Sequence, residues 1–355
     1  MTIKEFYLGG NTPEGFYSYY DYLAPQKDSN RIICIKGGPG TGKSSLMRSI
    51  AMDMSGRGYP VEMMHCSSDP HSLDGVSIPS LGIALVDGTS PHIVDPKNPG
   101  AVDEILHLGD FWDAGGIRKN KTQIMSCNEE IGNLFKRAYR YLAAAKCFYD
   151  DVKYINESAC NPVGVETEFN SLLTEFAEIP FSEKQGVRRK MFASAITPEG
   201  VKGYLDSLLT QKNVYTVHSD WGCGSGNLLK RLSDAAVIRG LNVEEYYCPM
   251  EPSDKIEHLV IPALNLSFAT ASRYCSKHTD KIIDLDVYAD TGIINKHKDV
   301  ISYDREQFDI MLNKAIDTIK QAKALHDTLE TYYIPYMNFE KINKLREKLS
   351  NELFV

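Results

Sequence analysis

Arg31-Ile32-Ile33-Cys34-Ile35-Lys36-Gly37-Gly38-Pro39-Gly40-Thr41-Gly42-Lys43-Ser44-Ser45-Leu46 is the stretch on which the reading of this chain turns. Arg31 to Ile35 is a short, mainly apolar run, the pattern of a parallel strand buried on both faces. Gly37 to Ser44 matches G-x-x-x-x-G-K-[ST], and a helix-compatible run from Lys43 to Met54 follows. Strand, glycine turn and helix are the setting in which this motif cradles phosphate. Glycine permits positive φ and close backbone approach. Successive N–H groups then form an anion nest at a helix N-terminus. Lys43 is the expected catalytic cation on the β- and γ-phosphate oxygens, and the Ser44 hydroxyl the expected Mg²⁺ contact. Gly37, Gly38, Pro39, Gly40, Thr41, Gly42, Lys43, Ser44 and Ser45 are therefore the expected nucleotide-binding residues.

A magnesium partner belongs on a neighbouring strand. Gly82-Ile83-Ala84-Leu85-Val86 ends at Asp87, and ligands of parallel sheets sit at the strands' C-terminal edge. Asp87 is the expected metal carboxylate, although it could simply cap the turn Asp87-Gly88-Thr89; Asp95 is a weaker alternative. The segment after the strand Val61–Cys66 leaves the same edge. In it Asp69 or Asp74 is the candidate to orient a water or an acceptor hydroxyl. His65 and His92 lie in the same region, without an evident partner in the sequence.

Working outward, the chain repeats itself. Thr12-Pro13-Glu14-Gly15 returns as Thr197-Pro198-Glu199-Gly200, an offset of 185. The block 57–66 returns as 239–248, an offset of 182, and Ile78-Pro79-Ser80-Leu81 as Ile261-Pro262-Ala263-Leu264, an offset of 183. This period is far longer than that of solenoids and implies a duplicated domain, with units 1–182 and 183–355. Thr12 reads as an N-cap with Pro13 at the first helical position, starting a helix to about Leu23. Strands alternating with helices imply an α/β fold with parallel sheets.

Each half ends in long helices. Ile124, Cys127, Ile131, Leu134, Ala138, Tyr141, Ala145, Phe148, Val152 and Ile155 step by threes and fours, a heptad seam. Phe308, Leu312, Ala315, Ile319, Ala322 and Leu329 repeat it, with His326 as a core histidine in the seam. These hairpins either pack on each other and their own sheets or form a dimer stalk or nucleotide-driven lid.

In the second half Val214–Val217 is the strand and Gly222-Cys223-Gly224-Ser225-Gly226 the loop. Aligned on Gly42 and Gly226, Lys43 becomes Asn227, Ser44 becomes Leu228 and Asp87 becomes Thr270. The second unit is a degenerate copy, structural or regulatory, or else one that binds a nucleotide without hydrolysing it.

The repeated Thr-Pro-Glu-Gly, the loop 37–44 and Val86-Asp87-Gly88-Thr89-Ser90-Pro91-His92 resemble a bacterial family of tandem P-loop ATPases, often described as nucleotide-kinase-like. The resemblance covers essentially the whole chain and implies ATP at Gly37–Ser44 and Asp87. The family's second loop often retains Gly-Lys-Ser or Gly-Lys-Thr, from which this chain departs. The expected fold is thus two tandem P-loop NTPase-like domains, each with an appended helical hairpin. The expected cofactors are ATP and Mg²⁺. The expected activity is ATP hydrolysis at the first loop; the alternatives are a kinase acting on a small acceptor, or an ATP-binding switch with negligible turnover.

Composition agrees with a globular chain: of 355 residues, 43% are hydrophobic and 24% charged. With 39 basic and 47 acidic residues the net charge is −8, so a global basic field for nucleic acid is absent. No window is long and apolar enough for a membrane span. Nothing at the start resembles a signal peptide, so the expected location is cytoplasmic. The eight cysteines lack metal spacing and read as free core residues of a reducing compartment. Partners, beyond a nucleotide, would be a small acceptor or a protein docking on the hairpins.

Overall fold

The computed structural model describes residues 3–89, 94–176, 178–272, 277, 279 and 281–353. His92, with Ser90 and Pro91 of the stretch Val86–His92, lies outside the described residues. In the first half the strands are β1 Ile3–Phe6, β2 Gly9–Thr12, β3 Gly15–Ser18, β4 Arg31–Lys36, β5 Val61–His65, β6 Leu73–Ile78, β7 Ile83–Asp87 and β8 Asp103–His107. The helices are α1 Lys43–Gly56, α2 Ala114–Arg118, α3 Lys121–Ala159 and α4 Pro162–Leu172. The second half has β9 Arg188–Met191, β10 Ser194–Thr197, β11 Gly200–Gly203, β12 Asn213–His218, β13 Val243–Cys248, β14 Glu251–Ile261, β15 Leu266–Thr270 and β16 Lys281–Asp284. Its helices are α5 Leu205–Leu208, α6 Ser225–Val237, α7 Thr291–Lys296, α8 Lys298–Glu330 and α9 Phe339–Glu352.

The duplication read from sequence is repeated in the topology. The first sheet has the order β1-β5-β6-β7-β4-β8 and the second the mirrored listing β16-β12-β15-β14-β13-β9. The sheets are mixed rather than purely parallel: β6 and β14 run antiparallel to both neighbours, and the other pairings are parallel. Sequence periodicity carries no strand direction, which is why this was missed. In β4, Ile33 and Ile35 enter the core beneath α1, while Ile32 and Cys34 enter the core shared between the halves. Burial on both faces explains the unbroken apolar run.

The repeated Thr-Pro-Glu-Gly is a hairpin turn, not a helix start. The Thr12 hydroxyl accepts from Glu14 N–H (3.1 Å) and donates to Gly15 O (2.8 Å), and Gly15 sits at φ 102° between β2 and β3. Thr197, Glu199 and Gly200 repeat this between β10 and β11, with Gly200 also at φ 102°. A hydroxyl accepting the N–H two residues on serves an N-cap and an ST-turn alike, so the local chemistry was right and the element wrong. β2 packs against β10 where the halves meet, and the Asn11 amide donates to Ile196 O at 2.9 Å.

The halves meet pseudo-symmetrically. Tyr7 and Phe192, equivalent by the offset of 185, exchange backbone hydrogen bonds of 3.0 and 2.9 Å. Lys4 pairs with Glu244, and its counterpart Arg189 pairs with Glu62. The hairpins are exchanged. α3 and α8 pack on each other, but α4 lies on α6 of the second half and α9 on α1 of the first. Leu349 and Leu353 close the core of Leu46, Met47, Ile50 and Met54. Each such buried side chain contributes about 1.5–3 kcal/mol. A heptad says which helix face is apolar, not which sheet it reaches.

Two further expectations are corrected. Cys160, the C-cap of α3, and Cys223 of the second loop form a disulfide, because α3 lands on that loop. Cys34, Cys66 and Cys248 are free and buried, as expected. His326 is no core histidine: its side chain is 42% exposed and its Nδ1 lies 3.7 Å from Glu330.

Candidate functional site

β4 delivers its C-terminal end to the glycine loop, and α1 starts at Lys43 with Gly42 as its N-cap. Gly40 (φ 67°) and Gly42 (φ 88°) occupy left-handed backbone that other residues adopt only with strain. Thr41 braces the turn, its hydroxyl donating to Gly38 O at 2.7 Å. Lys43 folds over the loop and donates to Gly37 O (2.8 Å) and Gly38 O (2.9 Å). Its Nζ also lies 3.6 Å from Asp87 Oδ2, both side chains being largely buried.

Asp87 closes its turn, one of the two readings given for it, and also faces Lys43. It ends β7, next to and parallel with β4, with Ile35 as its register partner. Its Oδ1 accepts from Thr89 N–H at 2.9 Å and closes the turn, while Oδ2 faces Lys43. Asp95 is elsewhere, paired with Lys36 at 2.8 Å.

Ser44 Oγ accepts from Leu73 N–H at 2.9 Å, which fastens the start of α1 to the start of β6. The next residue, Asp74, is 3% exposed and accepts from the Tyr20 hydroxyl at 2.9 Å. Burial first, and then the Asp74 charge, push the Tyr20 phenol well above its ordinary range, with the Asp87 charge adding to the rise. Asp74, Tyr20 and Asp87 thus share one electrostatic neighbourhood, beside Lys43 and Ser44. Asp69 is placed differently. It caps its own turn, accepting from His71 N–H (3.1 Å) and the Ser72 hydroxyl (3.0 Å), and meets Lys323 of α8 at 3.3 Å. His65 has the partners the sequence did not reveal: Pro70 O and Glu5, each at 3.1 Å.

The cover of the loop comes from the other half. A Cβ at Gly38 would meet the Tyr333 ring at 2.8 Å, and one at Gly40 would meet Ile334 at 2.8 Å and Glu330 at 3.2 Å. The segment is tied down by backbone bonds: Asp113 N–H donates to Tyr336 O and Asn338 N–H to Phe111 O, each at 2.8 Å. Sequence reasoning missed these residues because only the exchanged hairpins bring them here. Their one sequence trace is their position just past the end of the second seam.

In the second half, the left-handed residues fix the alignment. Gly222 (φ 91°) and Gly224 (φ 95°) stand for Gly40 and Gly42, and α6 starts at Ser225. Lys43 therefore corresponds to Ser225 and Ser44 to Gly226. The alignment on Gly226, which made Asn227 and Leu228 the counterparts, is corrected by two residues. Leu228 is instead the equivalent of Leu46, and both are core residues. Thr270 keeps its place opposite Asp87, paired with Val217 as Asp87 is with Ile35. Glu257 falls at the position of Asp74 and Glu251 at that of Asp69. The second loop is covered by α3 and α4: Gly222 lies against Lys153 O and Glu157 of α3, and Gly224 against Val165 of α4.

Comparison with protein-family models, curated proteins and solved structures finds no match for this chain. No described helix is long and apolar enough to cross a membrane.

Proposed function

We propose that the first half is a Mg-ATP-dependent P-loop NTPase site that hydrolyses ATP, and that the second half is its structural or regulatory copy. One observation carries this reading: Lys43 and Asp87 converge on a glycine loop whose backbone has the left-handed turns that bare N–H groups need to face an anion. Lys43, resting on two loop carbonyls, is a cation placed where phosphate oxygens would take over as acceptors. The residues fit Mg²⁺ as well. Mg²⁺ uses few protein carboxylates and keeps phosphate and water ligands, and here the Ser44 hydroxyl and Asp87 Oδ2 would hold it. When bound, the ion neutralises charge on the β- and γ-phosphoryl oxygens. We assign to Asp74, which accepts from the Tyr20 hydroxyl, the role of orienting a water. The resemblance to tandem P-loop ATPases supports ATP as the nucleotide.

A second reading, an ATP-binding switch with slow turnover, is favoured by the cover. Tyr333 and Ile334 lie on the loop, and α8 joins them to α3 and the other half. Calorimetry with a non-hydrolysable Mg-ATP analogue tests both readings. The proposal expects one site per chain, together with phosphate release that needs no added acceptor. Tight binding without turnover selects the switch, and ADP formed only with an acceptor that takes up the γ-phosphoryl selects a kinase. No binding refutes all three. Asp87→Asn should shift the Mg²⁺ titration of analogue binding by about tenfold, equivalent to about 1.4 kcal/mol. An unchanged titration would make Asp87 a turn residue only.

A further inference from the structure

A cleft of about 320 Å³ lies at the C-terminal edge of the second sheet, beneath α3 and α8. A cleft at that edge is where open α/β sheets take ligands. Its chemistry differs from that of the first loop.

One side is aromatic. Trp221 of the loop lies 4.6 Å from Tyr149 of α3 and 4.9 Å from Phe308 of α8, centroid to centroid. All three rings line the cavity. The other side is a polar sheet edge. The Thr270 hydroxyl, on a residue 3% exposed, has no hydrogen-bond partner among the described residues, and a buried polar group left unpaired is costly enough to point to a missing partner. Beside it Glu257 is buried, and burial raises its carboxyl above the usual range, favouring the protonated form that both donates and accepts.

The cations, in contrast, are engaged. Among the described residues of the lining, Arg305 pairs with Asp220, and Lys255 donates to the Tyr149 hydroxyl at 3.1 Å. Gly222 and Gly224 of the loop are covered by α3 and α4, and the loop is tied to the end of α3 through Cys160–Cys223. A triphosphate finds neither an open nest nor a spare lysine there. A flat, neutral ring with donors and acceptors on its edge finds aromatic faces and a polar floor.

We propose that this cavity binds an uncharged planar heterocycle of the nucleobase or nucleoside class, held by its ring and without phosphate. The site is separate from the first-half ATP site and does not depend on that reading.

The chain has two tryptophans, so Trp112→Phe leaves Trp221 as the sole reporter inside the cavity. Adenosine, guanosine, cytidine and uridine are titrated against its fluorescence, with Mg-ATP as the charged control. The expected result is saturable quenching by at least one nucleoside with Kd below about 1 mM, and at least about tenfold weaker quenching by Mg-ATP. Thr270→Val keeps the side-chain shape and should weaken the nucleoside about fivefold, the value of one hydrogen bond. Calorimetry of the nucleoside with wild type and with Thr270→Val repeats the comparison without Trp112→Phe. No saturable binding of any nucleoside by either method overturns the proposal. So does Mg-ATP quenching Trp221 as tightly as the nucleoside. Phosphate release measured on the same proteins keeps the two proposals apart: intact hydrolysis without nucleoside binding sinks this one alone.

Discussion

Gly40 and Gly42 in the first loop and Gly222 and Gly224 in the second hold the same left-handed turns, between equivalent strands and helices. Where the first loop continues with Lys43 and Ser44, the second continues with Ser225 and Gly226, and Thr270 stands opposite Asp87. The covers differ too. Tyr333 and Ile334 rest on the first loop by packing alone, while α3 is joined to the second by a disulfide. The comparison teaches which features folding itself demands. Leu46 and Leu228 are both buried because a core needs them; Lys43 and Asp87 stand only in the half for which a phosphate ligand is proposed.

The sharpest way to break that contrast is Lys43→Ala. If the first loop alone is competent, hydrolysis falls by at least about a hundredfold, the usual scale of such an electrostatic loss. Phosphate release by the folded variant decides it, and a rate near wild type would assign turnover elsewhere.

A second test compares the equivalent ion pairs between the halves. Arg189 makes two hydrogen bonds to Glu62, at 2.7 and 2.6 Å, and its charge holds the Glu62 carboxyl below the usual range against the opposing effect of burial. Arg189→Met leaves that carboxylate buried and unpaired, at a cost of about 3 kcal/mol or more. Lys4→Met, at the more exposed partner site of Glu244, should cost about 1 kcal/mol. Denaturant midpoints of the two variants measure the difference; equal losses would mean the interface is energetically symmetric.

A third contrast is in acid. His258 occupies the place of Gly75. It is fully buried, neither ring nitrogen has a hydrogen-bond partner among the described residues, and burial pushes its pKa down to about 3. In the unfolded chain a histidine titrates near about 6.5. Between those values the unfolded chain binds a proton that the fold refuses. The stability from neutral His258 is complete above about pH 6.5 and is lost as pH falls toward 3. Urea midpoints from pH 7 to 4 should therefore decline more steeply in wild type than in His258→Gln. Parallel declines would locate the acid sensitivity elsewhere.

The smallest effect is expected at Asn227. It lies outside the loop, so Asn227→Ala should leave hydrolysis within about twofold of wild type. A larger change would restore Asn227 to the site.

Much of this was legible in the residues. The motif with its strand and helix named Lys43 and Ser44, and an apolar run ending in a carboxylate named Asp87. The three repeat blocks gave the duplication. What stayed hidden was tertiary. The Thr12 hydroxyl serves a helix cap and a hairpin turn with the same bond, and β6 shows no sign of its direction. The seam of α8 does not announce that its end will lie on the loop of the other half. The second loop was misaligned because counting glycines cannot tell which of them has φ above zero.

The exchange of hairpins has a consequence for how the chain is made. During synthesis β4, the glycine loop and α1 leave the ribosome early, but the apolar face of α1 is closed by Leu349 and Leu353 of α9, which is translated long afterwards. Until then Leu46, Met47 and Ile50 lack part of their covering. The contacts that finish the first site are among the most distant in the sequence, and such contacts form slowly. The glycine loop is therefore expected to gain its full structure only after the second half has been made and has folded, so that a truncated product would carry the motif without its finished surroundings.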